Sequence, residues 1–145
     1  MAHKKNAQLV WTGEDWNFET TLGSGYQVQF KAPNADVSGG SPMEFMLAGV
    51  AGCTGVDILS ILQKMRQKVE NLTVDIEGER AEDYPMVYTD VLITYHLSGQ
   101  DIDPEAVEKA INLSMTKYCS ASIIFKRAGV KVVTKYDIKN VTKSP

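Results

Sequence analysis

The first part of the chain alternates between apolar and polar positions over short distances, which is the period-two pattern of β-strands. Leu9–Trp11 begins one strand, and Trp16–Phe18 continues in a second after a turn-like segment with glycine and acidic residues. A third strand is predicted where Tyr26, Val28 and Phe30 alternate with glutamines. The segment that follows contains two adjacent glycines and predicts a loop.

A long apolar helix comes next, and the local sequence marks its start. Ser41 and Glu44 have the Ser-x-x-Glu spacing of a capping box, and Pro42 suits the first helical position. The apolar pattern predicts that the helix continues to Lys68. Its first two-thirds are apolar on every side, so we expect a buried helix. Three glycines spaced by three indicate a second backbone close by, from this chain or from another subunit: Gly49, Gly52 and Gly55.

Two strands, two helices and a final strand complete the pattern. Leu72–Ile76 and Val91–Leu97 alternate as strands. Asp103 caps a second helix, and Ser120 is expected to cap a third. The last strand is predicted over Val130–Ile138. The order βββ-α-ββ-αα-β segregates the helices from antiparallel strands, which predicts an α+β fold.

Composition limits the classes of function. The chain has 145 residues, of which 43% are hydrophobic, so we expect a single domain over residues 1–145 with its own core. A formal charge of −3 opposes binding to nucleic-acid phosphates. The longest uncharged apolar stretch, Phe45–Val56, is shorter than the roughly 20 residues of a membrane span. We therefore expect no signal peptide, no membrane segment and a cytoplasmic location.

The two cysteines, Cys53 and Cys119, are the main candidates for chemistry. No spacing of cysteine or histidine predicts a metal site, and no cofactor is expected. Free cysteines often act as small apolar residues, which is one interpretation of both. In the other interpretation the cysteines are reactive. Cys119 precedes a helix start and lies near Lys117, and both features favour a thiolate there. Asp57, by contrast, opposes ionisation of Cys53. Local electrostatics thus predicts that Cys119 is the more acidic thiol.

Two segments resemble the OsmC-like family, named for osmotically inducible protein C. Ser41–Cys53 is similar to the family's Pro-Glu-rich helix start and the small residues that lead to its first cysteine. Tyr118–Ser122 is similar to the second cysteine segment, although the family usually has proline after that cysteine. The resemblance implies an OsmC-like fold, with two long central helices packed against antiparallel sheets in an intertwined homodimer. It also implies active sites at the subunit interface.

The resemblance further implies a peroxiredoxin-type peroxidase activity in oxidative-stress defence. Cys53 would attack hydrogen peroxide or an organic hydroperoxide and become a sulfenic acid, and Cys119 would resolve it as a disulfide. A dithiol, from a lipoylated or thioredoxin-like protein, would regenerate the two thiols.

Two positions depart from the family's peroxidase members. These carry an arginine in the N-terminal segment, where this chain has Gln29 or, by a looser alignment, Lys31. They also carry a glutamate where this chain has Met43, and Glu44 is one residue further on, turned by about 100° in a helix. The chain is thus more similar to a less-characterised branch of the family.

Three hypotheses remain at this point. In the first, the chain is a peroxidase in which Lys31 or Arg66 replaces the arginine and Glu44, Asp57 or Gln29 supports the thiols. In the second, the chain is a redox-responsive or small-ligand-binding dimer without efficient peroxide turnover. In the third, both cysteines are purely structural.

Overall fold

A computed structural model describes residues 3–32 and 34–141, and the chain divides into two compact units, Met1–Met46 and Leu47–Pro145. The first unit contains an antiparallel sheet in the order β1-β2-β3. Its strands are β1 (Ala7–Trp11), β2 (Asn17–Leu22) and β3 (Gln27–Lys31). All three predicted strands are therefore confirmed, although β2 continues four residues beyond the predicted Phe18.

The long helix α1 (Pro42–Lys64) begins as the capping box predicts. The backbone N–H of Ser41 donates to Glu44 Oε1 at 2.9 Å, and the N–H of Glu44 donates to Ser41 Oγ at 3.3 Å. These bonds lower the pKa of Glu44, because they favour the ionised carboxylate. Glu44 therefore has a local structural role at the helix start.

The predicted end of α1 at Lys68 is wrong, because the helix closes four residues earlier. The N–H of Gln67 donates to the carbonyl of Leu62 at 2.9 Å, and the N–H of Arg66 donates to that of Gln63 at 3.0 Å. This is the bonding of a Schellman motif, with Arg66 in the left-handed region at φ 60°. An arginine there gives no sequence signal of the kind that glycine gives.

The expectation that α1 is buried is also wrong within this chain. Only one stripe of the helix is buried, whereas Val56 is 69% exposed and Met46 is 48% exposed. A Cβ added at Gly49 or Gly52 would meet nothing within 4 Å, so no backbone of another element of the second unit approaches these glycines closely. The buried stripe consists of Val50, Thr54, Ile58 and Leu62.

Length and composition alone would allow α1 to cross a membrane, since it has 23 residues and contains an 18-residue window with a mean hydropathy of 1.9. Core helices of soluble proteins meet the same criterion. Here Thr54 and Asp57 in α1 hydrogen-bond to side chains of other elements in the second unit.

The second unit contains a three-stranded sheet in the order β4-β5-β6. The strands are β4 (Lys68–Arg80), β5 (Tyr88–Gln100) and β6 (Lys131–Asn140). β4 and β5 are antiparallel, but β5 and β6 are parallel, which corrects the prediction of purely antiparallel sheets. The reason is the helical connection between β5 and β6. It crosses over the sheet and returns the chain to the end at which β5 begins, so that β6 runs in the same direction as β5.

That connection contains α2 (Pro104–Leu113), a π-helical turn (Ser114–Tyr118) and α3 (Ser120–Arg127). Asp103 caps α2 as predicted, because its side chain accepts from the N–H of Glu105 at 3.0 Å. The core of this unit lies where the inward side of β5 and the helices bury apolar side chains. Its fully buried members include Ile58, Leu62, Val91, Ile93, Tyr95, Leu97 and Val107.

Candidate functional site

The first candidate thiol, Cys53, lies in the middle of α1 at the border of its buried stripe. The helix places it directly before Thr54, which is completely buried, whereas Cys53 itself is only half-buried. Both cysteines are free thiols. Within the protomer, Cys53 is therefore the more exposed of the two thiols.

The second candidate thiol, Cys119, is completely buried at the start of α3. It is itself the N-cap residue, which corrects the prediction that Ser120 caps the helix. Its Sγ accepts from the backbone N–H of Ser122 at 3.4 Å, and its carbonyl accepts from the Ser122 hydroxyl at 3.2 Å. The π-helical turn leads into this cap, since the N–H of Cys119 donates to the carbonyl of Ser114 at 2.8 Å.

The fold brings the two thiols together, although they are far apart in the chain. Burial raises the pKa of the Cys119 thiol above its usual value, and the hydrogen bond and charge of Cys53 raise it further. The bonds from Ser122 lower this pKa but do not outweigh burial. The expectation that Cys119 becomes a thiolate is therefore wrong, because the cap position lies inside the protein where a charge loses its solvation.

A chain of buried hydroxyl groups lies in the same region, and the sequence analysis did not predict it. Tyr95 Oη lies 2.7 Å from Thr54 Oγ1, Thr54 Oγ1 lies 2.8 Å from Ser114 Oγ, and Ser114 Oγ donates to Asp57 Oδ2 at 2.9 Å. Each hydroxyl has a single proton. Because Ser114 donates to the carboxylate, Thr54 must donate to Ser114, and Tyr95 must donate to Thr54.

The two ends of this chain have different environments. Burial raises the pKa of Tyr95 to about 12; the Thr54 bond lowers it in part, and the negative forms of Cys119 and Asp57 raise it. The phenol therefore stays protonated at neutral pH and remains a donor. At the other end, Asp57 lines a cavity of about 400 Å³ together with Lys64, Lys109 and Tyr118. The hydroxyl chain thus connects the interior near Cys119 to an accessible cavity.

The remaining predicted site residues have the following local surroundings. Gln29 is an exposed residue of β3 whose carbonyl accepts from Gly40. Lys31 forms an ion pair with Asp36, and its ammonium holds the pKa of that carboxyl well below its usual range. Arg66 lies beyond the end of α1, about 16 Å or more from Cys53 along the helix axis. Arg66 therefore cannot reach the Cys53 thiol of its own chain, which corrects its assignment as a substitute.

Metal binding finds no support in the side-chain clusters. Among residues 3–32 and 34–141, no group of three or more His, Cys, Asp or Glu side chains is placed to hold a metal ion. His96 instead bonds to two carboxylates, with Nδ1 2.6 Å from Asp137 and Nε2 2.8 Å from Asp75. It lies on the outward side of β5, with its side chain 39% exposed.

Comparison with known proteins places this architecture in a family. The model of the family described as OsmC-like protein matches residues 34–135 of the chain. The chain belongs to the OsmC-like family. Protein YhfA of Escherichia coli strain K12 is 33% identical over 132 residues, which cover 91% of this chain and 96% of YhfA.

Solved structures agree with this OsmC-like assignment. A hypothetical protein from Aquifex aeolicus is similar with a TM-score of 0.85 and 26% identity, covering 97% of this chain and all of that one. An organic hydroperoxide resistance protein OsmC from Legionella pneumophila has a TM-score of 0.71 and 15% identity, covering 94% and 98% of the two chains. This second likeness shows the shared fold alone.

Proposed function

We propose that this OsmC-like protein is a thiol-dependent peroxidase in which Cys53 attacks the peroxide and Cys119 resolves the product. The observation that carries the proposal is the pairing of an accessible thiol with a buried one that interacts with it directly. Membership of a family that includes organic hydroperoxide resistance proteins supports the same chemistry. The role belongs to defence against oxidative stress.

The first step oxidises Cys53. Its sulfur attacks the terminal oxygen of a hydroperoxide, so that a sulfur–oxygen bond forms and the oxygen–oxygen bond breaks. The thiol proton ends on the leaving alkoxide, which departs as an alcohol. Cys53 becomes a sulfenic acid and the peroxide is reduced by two electrons. The greater exposure of Cys53 supports this assignment, because Cys119 is closed to solvent.

The second step joins the two sulfurs. The Cys119 thiol attacks the sulfur of the sulfenic acid, a disulfide forms, and the hydroxide leaves as water with the Cys119 proton. Since the pKa of Cys119 is raised, this residue stays a neutral thiol until the attack. A dithiol, from a lipoylated or thioredoxin-like protein, then reduces the disulfide and is itself oxidised to a disulfide.

Peroxide consumption tests these roles directly. We expect the wild-type chain to consume cumene hydroperoxide in the presence of dihydrolipoamide, and Cys53→Ser to abolish turnover. Cys119→Ser should form a sulfenic acid on Cys53 that dimedone traps. Tyr118→Phe, next to Cys119, serves as a matched control that keeps both thiols. Turnover that survives in Cys53→Ser contradicts the proposal.

The second candidate function is a redox-responsive protein that forms the disulfide without efficient turnover. The observation that favours it is the ion pair of Lys31 with Asp36. Lys31 is the cationic residue that aligns most nearly with the arginine of the family's peroxidase members, and its charge is already paired. This function predicts a disulfide after one peroxide addition, detected by mass spectrometry, with no catalytic consumption. A small-ligand-binding dimer without reactive thiols would show neither.

We also propose that the chain acts as a homodimer through the exposed side of α1. The apolar residues left exposed there and the open space at Gly49 and Gly52 support this arrangement. The Cβ of a Gly52→Leu side chain meets nothing within 4 Å in the described chain, so the variant should keep the protomer folded but prevent association. Analytical ultracentrifugation measures the result, with Asn112→Leu on the exposed side of α2 as control. A dimer unchanged by Gly52→Leu contradicts this interface.

A further inference from the structure

The turn between β1 and β2 forms an aromatic cleft that the cysteine chemistry does not use. The cleft has a volume of about 500 Å³ and is lined by Trp11, Asp15, Trp16 and Phe18. Trp11 and Phe18 are direct partners in the β1–β2 register. Three of the four lining residues are thus aromatic, and the fourth is acidic.

The backbone of this turn is held in place by several hydrogen bonds. The indole N–H of Trp11 donates to the carbonyl of Asp15 at 3.0 Å, and the N–H of Thr12 donates to that of Asn17 at 3.1 Å. Gly13 and Asp15 both adopt positive φ, at 89° and 47°. Such conformations persist where surrounding bonds fix them, so the cleft is preformed.

The chemistry of the lining selects the charge of a ligand. Aromatic faces attract cations, and three rings around one space form the kind of cage that binds methylated ammonium groups. Asp15 adds a negative charge, and Glu14 precedes it in the same turn. The lysine opposite Asn17 in the sheet, Lys31, is occupied by its ion pair with Asp36.

We propose that the Trp11–Trp16–Phe18 cleft binds a small quaternary ammonium compound, with Asp15 supplying the counter-charge. A methylated cation fits better than a primary ammonium, because the lining is almost entirely apolar and offers few acceptors for N–H groups. The indole N–H of Trp11 is already bonded, so this ring contributes its face and not a donor. This site is independent of the proposed peroxidase chemistry.

The chain provides its own reporter for this site. It has two tryptophans, and both line the cleft, so tryptophan fluorescence excited at wavelengths that its six tyrosines do not absorb observes the cleft alone. We expect choline chloride to change this fluorescence with a dissociation constant on the order of millimolar. The neutral isostere 3,3-dimethylbutan-1-ol should bind at least several-fold more weakly. Equal responses to the two compounds overturn the proposal, since the cleft would then be merely apolar.

A pair of variants isolates the charge. Asp15→Asn keeps a residue type that tolerates positive φ, and it should weaken choline binding by about two- to fivefold. Glu19→Gln removes one charge from the neighbouring position of β2, whose side chain points to the other side of the sheet, and should leave binding unchanged. Equal effects of the two variants overturn the specific role of Asp15.

Two further measurements distinguish a free ammonium compound from two other possible occupants of the cleft, a second copy of the chain and a lipid. If a second copy of the chain covers the cleft, acrylamide will fail to quench the tryptophans and choline will not bind, which overturns the proposal. If the ammonium group is recognised only on a lipid, the protein will sediment with phosphatidylcholine vesicles but ignore free choline. That outcome also overturns the proposal for a free compound.

Discussion

Thr54→Val tests the buried hydroxyl chain with the smallest possible change. Valine keeps the shape of threonine but removes the oxygen that accepts from Tyr95 and donates to Ser114. Tyr95 is completely buried, and among the described residues its hydroxyl has one hydrogen-bond partner, Thr54. The substitution therefore leaves a phenol donor without an acceptor, away from water.

The expected cost follows from the two lost bonds. A buried donor left without a partner costs about 1–3 kcal/mol, and the bond to Ser114 contributes about 1 kcal/mol because Ser114 keeps Asp57 as a partner. The more apolar valine offsets part of this, so we expect a loss of about 2 kcal/mol. For a chain of this size that lowers Tm by roughly 6 °C. Urea denaturation at unchanged m measures the free energy of unfolding.

A double-mutant cycle identifies the cause of this loss. In Thr54→Val with Tyr95→Phe, the phenol that would be left without a partner is absent, so the double variant should be more stable than the sum of the single losses by about 1 kcal/mol or more. Thr73→Val, at an exposed position of β4, should stay within about 0.5 kcal/mol of wild type. Additive losses in the cycle would refute the hydrogen bond between Tyr95 and Thr54.

Two further predictions concern the ends and the surface of the second unit. Arg66→Gly should raise the free energy of unfolding by about 0.5–1 kcal/mol in urea denaturation, because glycine adopts φ 60° without the cost that a side chain adds; a loss of stability would contradict the Schellman assignment. For His96, the bond to Asp137 has the largest effect and raises the folded-state pKa; burial opposes it, and the bond to Asp75 raises the pKa further, so the net direction is upward. The protonated His96 therefore contributes its full stabilisation to the folded state below the unfolded pKa near 6.5, and this contribution is lost as pH rises through the folded-state pKa. Denaturation of wild type and His96→Gln should differ most at pH 5.5 and least at alkaline pH, and a pH-independent difference would contradict the ion pairs.

Local signals in the sequence predicted most of the element order. The caps at Ser41 and Asp103 are short-range chemistry, since the partner lies two or three residues away, and both are confirmed. The direction of β6 could not be obtained in this way, because a strand's own pattern is the same in parallel and antiparallel pairing. The end of α1 was missed since Arg66 occupies a position that usually shows itself as glycine.

The candidate site was predicted in its members but not in its electrostatics. The resemblance indicated both cysteines, and the fold brings them into interaction. The acidity expected for Cys119 was wrong. The sequence shows where a helix starts, and therefore where its dipole lies, but it does not show how deeply that start is buried. The hydroxyl chain did have a signal: Thr54 and Ser114 are polar residues within otherwise apolar helical stripes.

The parallel pairing of β5 with β6 has a consequence for synthesis on the ribosome. β5 carries the most regularly buried apolar side chains of its sheet, yet one of its two edges is covered by the last strand of the chain. Until residues 131–140 have emerged from the exit tunnel, that edge has unpaired N–H and C=O groups that another nascent chain could bind. The second unit therefore completes its folding only after β6 has left the exit tunnel, and a chain truncated after α3 should aggregate.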